Sequence, residues 1–382
     1  MRRYVAVIFL VFIASCSSEM EPEVPEDIAS LDNLAVYSGE TEPLQSVSFE
    51  REARFGDTDD IFIGAMSGMS VGEDGTLYLA DRTEALVHVY NADGGYLFAI
   101  GGKGEGPGEF LSTSEVTFFE SELYVLDVQQ QRLSIFDPES GDYLRSYPMG
   151  SGSDDISGFP VSAKPLSGDR FFVLHNSLQS ENEQYFRSYT PRIVDREGNT
   201  LDSEFIDFPP SEMLLLQSDN MVSIRSLPFM GEAHIAFNRN EEVVTGFSDR
   251  FLFHVISLEG DTLRSIYHSK TLPSFNLSDV LDDIEDETVR QEISALEVPE
   301  TKPAFESLYV DDENRLWVSS PTDDAEINEW WVLAENGEKL AEFTRNSSDR
   351  IRFVKHSNVY FQETDEETGV EEIVKYSFTL EG

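Results

Sequence analysis

The side chains that could do chemistry are few and scattered along this chain of 382 residues. Six histidines, His88, His175, His234, His254, His268 and His356, show neither HxH nor HExxH spacing, so a zinc enzyme has no footing here. Carboxylates gather at Asp57-Thr58-Asp59-Asp60, Asp154-Asp155 and Asp282-Asp283, with the oxygens that calcium prefers. None carries an EF-hand's loop glycine and closing glutamate, and a solvated acidic surface accounts for them. No SxxK offers a serine nucleophile, and the one cysteine, Cys16, permits no disulfide. GGKGEGPGEF (101–110) has a GxGxxG-like spacing that cradles phosphate when a helix comes next. The next stretch, SEVTFFESELYVLD, is a hairpin instead, so a structural role is expected: Gly106 and Gly108 supply unusual backbone angles and Pro107 stiffens a crossing. Five further charges, Glu115, Lys164, Arg225, Glu306 and Arg352, lie in strand-like segments. What they can do depends on the elements that carry them.

Those elements repeat. A polar turn followed by a short alternating strand recurs as EDGTLYLAD (73–81), ESELYVLD (120–127), SGDRFFVLH (167–175), MGEAHIAFN (230–238), DENRLWVSS (312–320) and HSNVYFQE (356–363). A second strand and turn come after each, as in LVHVYNADGG (86–95) and FLFHVISLEGD (251–261), and a further strand leaves most of the turns. Repeats of about 40–50 residues built this way are blades of a β-propeller. The expectation is an all-β, six-bladed propeller over 44–382, with the strands ending at Asp81, Asp127, His175, Asn238, Ser320 and Glu363 in equivalent places. Residues 209–220 and 270–302 are insertions, the second with a helical stretch from Ser278 to Leu296 between blades four and five. The sixth blade lacks its outer strand, which LQSVSFE (44–50) is expected to supply by pairing the two ends of the chain.

In a propeller the first strand of each blade lines the axis, which would bring Lys164, Arg225 and Arg352 together as a site for an anionic group, with Glu115 and Glu306 beside them. Internal ion pairs with those two glutamates are the alternative. Aspartate and glutamate number 73 against 27 lysines and arginines, a formal charge of −46, so a nucleic-acid partner is excluded. The charge is spread over the whole chain and lysine is scarce, as expected of a protein adapted to high salt or of an ordinary acidic surface.

At the amino end, Arg2 and Arg3 precede an apolar run from Tyr4 to Ala14, too short to span a membrane, and Ile13-Ala14-Ser15 lead to Cys16. The stretch resembles a bacterial lipoprotein signal: residues 1–15 are removed and Cys16 is acylated. Residues 16–43 read as an acidic flexible tether. Ser17 favours the outer membrane, on its periplasmic or surface face. GGKGEGPGEF between LYLAD and LYVLD strands resembles NHL-repeat propellers. The helical insert followed by Lys302-Pro303-Ala304-Phe305 and Leu316-Trp317-Val318 is similar to six-bladed, TolB-like propeller lipoproteins of Bacteroidota. That resemblance implies a monomeric, noncatalytic lipoprotein of the cell envelope, without cofactor, binding a protein, peptide or glycan. Its alternative is a lyase or lactonase holding a divalent cation in the channel. Cys16→Ser is expected to release the protein from membranes or leave it unprocessed; wild-type chain in the soluble fraction with no lipid mass on Cys16 would refute the anchor.

Overall fold

Short strands with both faces buried cannot stand alone and must stack on neighbours. The computed structural model describes residues 22–382 except 58–60, 151–157, 182–183, 204–205, 219–220, 228, 283, 285 and 365–368. Cys16, Asp59, Asp60, Asp154, Asp155 and Asp283 thus lie outside the described residues. Helix α1 (Glu26–Ala29) and strands β1 (Leu34–Ser38) and β2 (Ser46–Phe55) come first. Blade one holds β3 (Met66–Val71), β4 (Leu77–Asp81), β5 (Leu86–Tyr90) and β6 (Tyr96–Gly101). Blade two holds β7 (Thr113–Phe119), β8 (Glu122–Asp127), β9 (Arg132–Phe136) and β10 (Tyr143–Pro148). Blade three holds β11 (Phe159–Leu166), β12 (Arg170–Glu181), β13 (Gln184–Val194) and β14 (Thr200–Ser203), and its sheet continues into the hairpin β15 (Ser211–Ser218) and β16 (Met221–Ser226). Blade four holds β17 (Ala233–Phe237), β18 (Val243–Phe247), β19 (Leu252–Ile256) and β20 (Thr262–Ser269), followed by α2 (Leu277–Asp282) and α3 (Glu287–Ser294). Blade five holds β21 (Ser307–Val310), β22 (Leu316–Pro321), β23 (Ile327–Leu333) and β24 (Lys339–Asn346). Blade six holds β25 (Arg350–Lys355), β26 (Asn358–Thr364) and β27 (Glu371–Glu381), with β2 along β27.

The apolar side chains sort into one cluster per junction. Phe110, Val116 and Val125 join blades one and two, Met149, Val173 and Val194 join two and three, and Phe172, Ile193 and Val243 join three and four. Phe253, Phe305 and Trp331 join four and five, Trp317, Trp330 and Phe361 join five and six, and Phe55, Met69 and Tyr360 join six back to one. Six junctions in cyclic order make a closed ring, the six-bladed β-propeller.

Polar groups tie each crossing to the blade it enters. Asp81 ends β4, fully buried, and accepts from the N–H groups of Gly64 at 2.7 Å, Thr83 at 2.8 Å, and Ala65 and Glu84 at 3.2 Å. Burial alone would raise its pKa, but those four donors hold the carboxyl below its usual range. Asp127 repeats the arrangement at the end of β8, accepting from Leu111, Gln129 and Gln130. The expected equivalence fails at Asn238. Residues 233–237 are the first strand of blade four, and the second is β18. The side chain of Asn238 accepts from the N–H groups of Asn240 and Glu242, the mark of a turn between first and second strands.

The segment read as a flexible tether, 16–43, is folded from Glu26 onward. Ile28 is buried, Asp27 pairs with Arg250, and β1 adds a parallel fifth strand beside β20 from Leu34↔Ser265 to Ser38↔Ser269. Tyr37 stacks on His268 at 5.0 Å and donates to the Asn336 carbonyl at 2.8 Å. The N–H groups of Leu44 and Gln45 then donate to Lys339 and Leu340 of blade five before β2 reaches blade six. Local propensity misses this, because a parallel strand gains its partners from about 230 residues away. Removing residues 1–39 should leave a folded ring with a lower Tm, whereas removing 1–55 should abolish cooperative unfolding. Equal Tm values for both truncations would show that the β2–β27 pairing does not hold the ring.

Candidate functional site

Of the five charges expected near the axis, Glu115, Lys164 and Arg352 lie on first strands, Glu306 immediately precedes one, and Arg225 does not. Lys164 on β11 meets Glu115 on β7 at 2.8 Å, and the second oxygen of that carboxylate accepts from the Ser162 hydroxyl and the Ala163 N–H, both at 2.9 Å. Glu306, just ahead of β21, accepts from the Asn328 amide at 2.8 Å. Arg352 on β25 sits beside Tyr309 of the neighbouring blade; burial pushes its pKa down and the phenol opposes that shift. Arg225 is the outright correction: it is exposed on β16, opposite Leu214, at the far edge of the blade-three sheet. Residues 221–226 form a short strand, as an inner strand would, but the hairpin partner immediately before them captures them.

The glycine-rich crossing is structural. Phe110 is buried under it, Arg132 donates to the carbonyls of Gly106 at 3.1 Å and Glu109 at 2.6 Å, and the Glu109 carboxylate accepts from the Gly106 N–H at 2.8 Å. Positive φ falls at Gly108 (+78°) and also at Gly101 (+86°), where a Cβ would strike the Phe110 ring; Gly106 does not have it. Gly68-Met69-Ser70-Val71-Gly72 spells GxSxG, a spacing that sequence reasoning missed. It runs along β3 and lacks the strand-to-helix elbow of a nucleophile, and Ser70 is buried with its oxygen accepting from the Phe118 N–H. Among the described residues, no three of His, Cys, Asp and Glu gather as a metal site.

A concave site lies elsewhere, between blades three and four. Antiparallel neighbours put the turn after each second strand and the crossing to the next blade on one face of the ring. All the long additions share that face. The β12–β13 hairpin pairs from Phe171↔Val194 out to Glu181↔Gln184, so its arm stands roughly 20 Å beyond His175. The β15 strand pairs with this arm through Met213↔Tyr185, and α2 and α3 pack on that hairpin around Leu214, Leu227, Phe229 and Ile293. Beside the crossing at Ile206 to Pro209 opens a cleft of about 370 Å³. Its walls include Phe208, Phe247 and Leu252, its mouth Asp27, Asp249 and Arg250. Thr245 and His254 form a polar floor; Ser265 holds His254 Nδ1 at 3.0 Å, which leaves Nε2 for a ligand. Sequence reasoning missed the cleft because its parts come from the N-terminal helix, an interblade crossing and blade four.

A family model described as "6-bladed beta-propeller", DUF5128, matches residues 57–227, which span blades one to three. The fold is shared with solved structures. A DUF4221 family member from Bacteroides vulgatus aligns with a TM-score of 0.57 at 12% identity, over 89% of this chain and 99% of its own. A Bacteroides fragilis protein described as exported gives 0.53 at 10% identity, over 91% of this chain and all of its own. Virginiamycin B lyase from Staphylococcus aureus gives 0.40 at 9% identity over 87% and 99%, too distant to bear on chemistry. No curated protein matches the sequence.

Five of the histidines lie in strands, and burial lowers the pKa of each; His175, His234 and His268 fall to about 4. An unfolded histidine titrates near ~6.5. Between that value and about 4 the unfolded chain binds more protons than the native one, so stability falls as pH drops through this window. Each of the three contributes on the order of 2–3 kcal/mol across it. Urea unfolding at pH 7 and pH 5 checks this: the midpoint should fall at pH 5, and a constant midpoint would mean that these rings are not buried neutral.

Proposed function

We propose that this chain is a noncatalytic propeller lipoprotein of the NHL-repeat, TolB-like type, held at the cell envelope through Cys16. Its partner is a protein, peptide or glycan, bound across the face that carries the additions. The observation behind this reading is the grouping of those additions. The ring closes without the β12–β13 arm, the β15–β16 hairpin or the two helices, yet all of them rise from the face that carries the interblade crossings, and the cleft between blades three and four lies beside one of those crossings, at Ile206 to Pro209. Loops and insertions on a rigid scaffold are where binding function concentrates. Apolar walls with a few fixed polar groups suit a peptide side chain or a sugar ring, and the carboxylates at the mouth accept hydrogen bonds from hydroxyl or amine donors.

Arrays of peptides and envelope glycans, probed with the soluble propeller, would find the ligand class. Ala233→Trp fills the cleft and should weaken capture at least ~10-fold while the Tm stays within a few degrees. Undiminished capture by a folded Ala233→Trp variant would remove the cleft from the binding surface.

A further inference from the structure

Five charged residues of the described chain are buried: Asp81, Asp127, Arg192, Asp311 and Lys339. Four have their charge answered. Backbone N–H groups surround Asp81 and Asp127, Arg315 and the Trp317 indole meet Asp311 at 2.7 and 2.9 Å, and Glu342 meets Lys339 at 2.9 Å. Arg192 is the exception. It is 9% exposed, forms no ion pair among the described residues, and its Nε–H has no acceptor. Among the described residues no carboxylate answers it, and a buried charge without a partner is costly for a fold to carry.

The neighbour of Arg192 shares the deficiency. His175 is 2% exposed and neither ring nitrogen completes a hydrogen bond, although the Met149 backbone approaches it. Burial, and then the Arg192 charge, lower its pKa to about 4, so at neutral pH the ring is uncharged and offers one N–H. Both side chains project from the face of blade three that packs on blade two, next to the buried Val173 and Val194. They line a cavity with Pro148, Met149, Gly150 and Thr200 that has room for about one water-sized occupant. Two buried donors, one of them cationic, face a space in which the described residues bring the Met149 backbone to His175 but no carboxylate to Arg192. A water would accept from both but leave the charge of Arg192 unbalanced; an anion answers both needs.

We propose that this cavity is a halide site, occupied by chloride, which accepts from Arg192 and His175 and completes the junction of blades two and three. The assignment is independent of the cleft and of whatever partner binds there. General screening of the acidic surface and a chloride site differ in one respect: screening follows ionic strength, a site follows the identity of the anion.

Thermal unfolding at pH 7, with ionic strength held constant by exchanging sodium gluconate for sodium chloride, separates the two. The Tm should rise by about 2–4 °C along a saturating curve as chloride replaces gluconate. Arg192→Met and His175→Phe should each erase that rise. Should either variant fail to fold, bromide-soaked crystals of the wild-type protein test the same site: an anomalous peak is expected within hydrogen-bonding reach of the Arg192 guanidinium. A Tm set by ionic strength whatever the anion, or a cavity holding water in bromide-soaked crystals, overturns the proposal.

Discussion

A ring of blades depends on the sheet in which an early strand pairs with a late one. Here nine residue pairs between Ser46–Phe55 and Glu371–Glu381 make that sheet, with Phe49 facing Phe378 and Phe55 facing Ile373. Junctions between consecutive blades join strands close in sequence, whereas this ladder pairs Ser46 with Glu381. Its apolar face continues into the clusters on both sides, through Phe378 to Trp317 and through Phe55 to Tyr90. Non-local pairing costs loop entropy before any contact rewards it, so the cooperativity of the whole ring rests on this ladder.

The second constraint is charge. With few cations available, the fold sets them at junctions where each does several things at once. Lys270 and Lys339 lie on either side of Trp331, 4.5 and 4.2 Å from its ring, and pair with Glu329 and Glu342. Arg345 stacks over Phe361 and Tyr376 while it pairs with Glu363 and Asp349. Lys164 bridges blades two and three through Glu115. These are partly desolvated cation–π and ionic contacts, stronger than exposed pairs.

How much was legible depends on range. Blades one, two, five and six carry clean alternation closed by tight turns, and the strand ends at Asp81 and Asp127 show in sequence because they repeat. Blades three and four were harder: the arm beyond His175 lengthens two strands past the usual size, and the β15–β16 hairpin imitates the start of a blade. The misplacement of Arg225 comes from that imitation. The cleft and the Arg192–His175 pair have no local signature at all, because each is made by cross-strand neighbours and crossings that spacing along the chain does not encode. Val173, the cross-strand partner of Arg192, lies nineteen residues before it.

The segment from Glu26 to Phe55 touches three blades in succession: Asp27 and β1 on blade four, Leu44 and Gln45 on blade five, β2 on blade six. In mechanical terms it is a belt with serial fastenings. Tension entering at the amino end loads the Asp27–Arg250 clasp and the five-residue parallel strand first, then the two backbone hydrogen bonds to Lys339 and Leu340. Only after these yield does force reach the ladder that closes the ring. The outer fastenings act as fuses, letting go under strain while the propeller behind them keeps its shape.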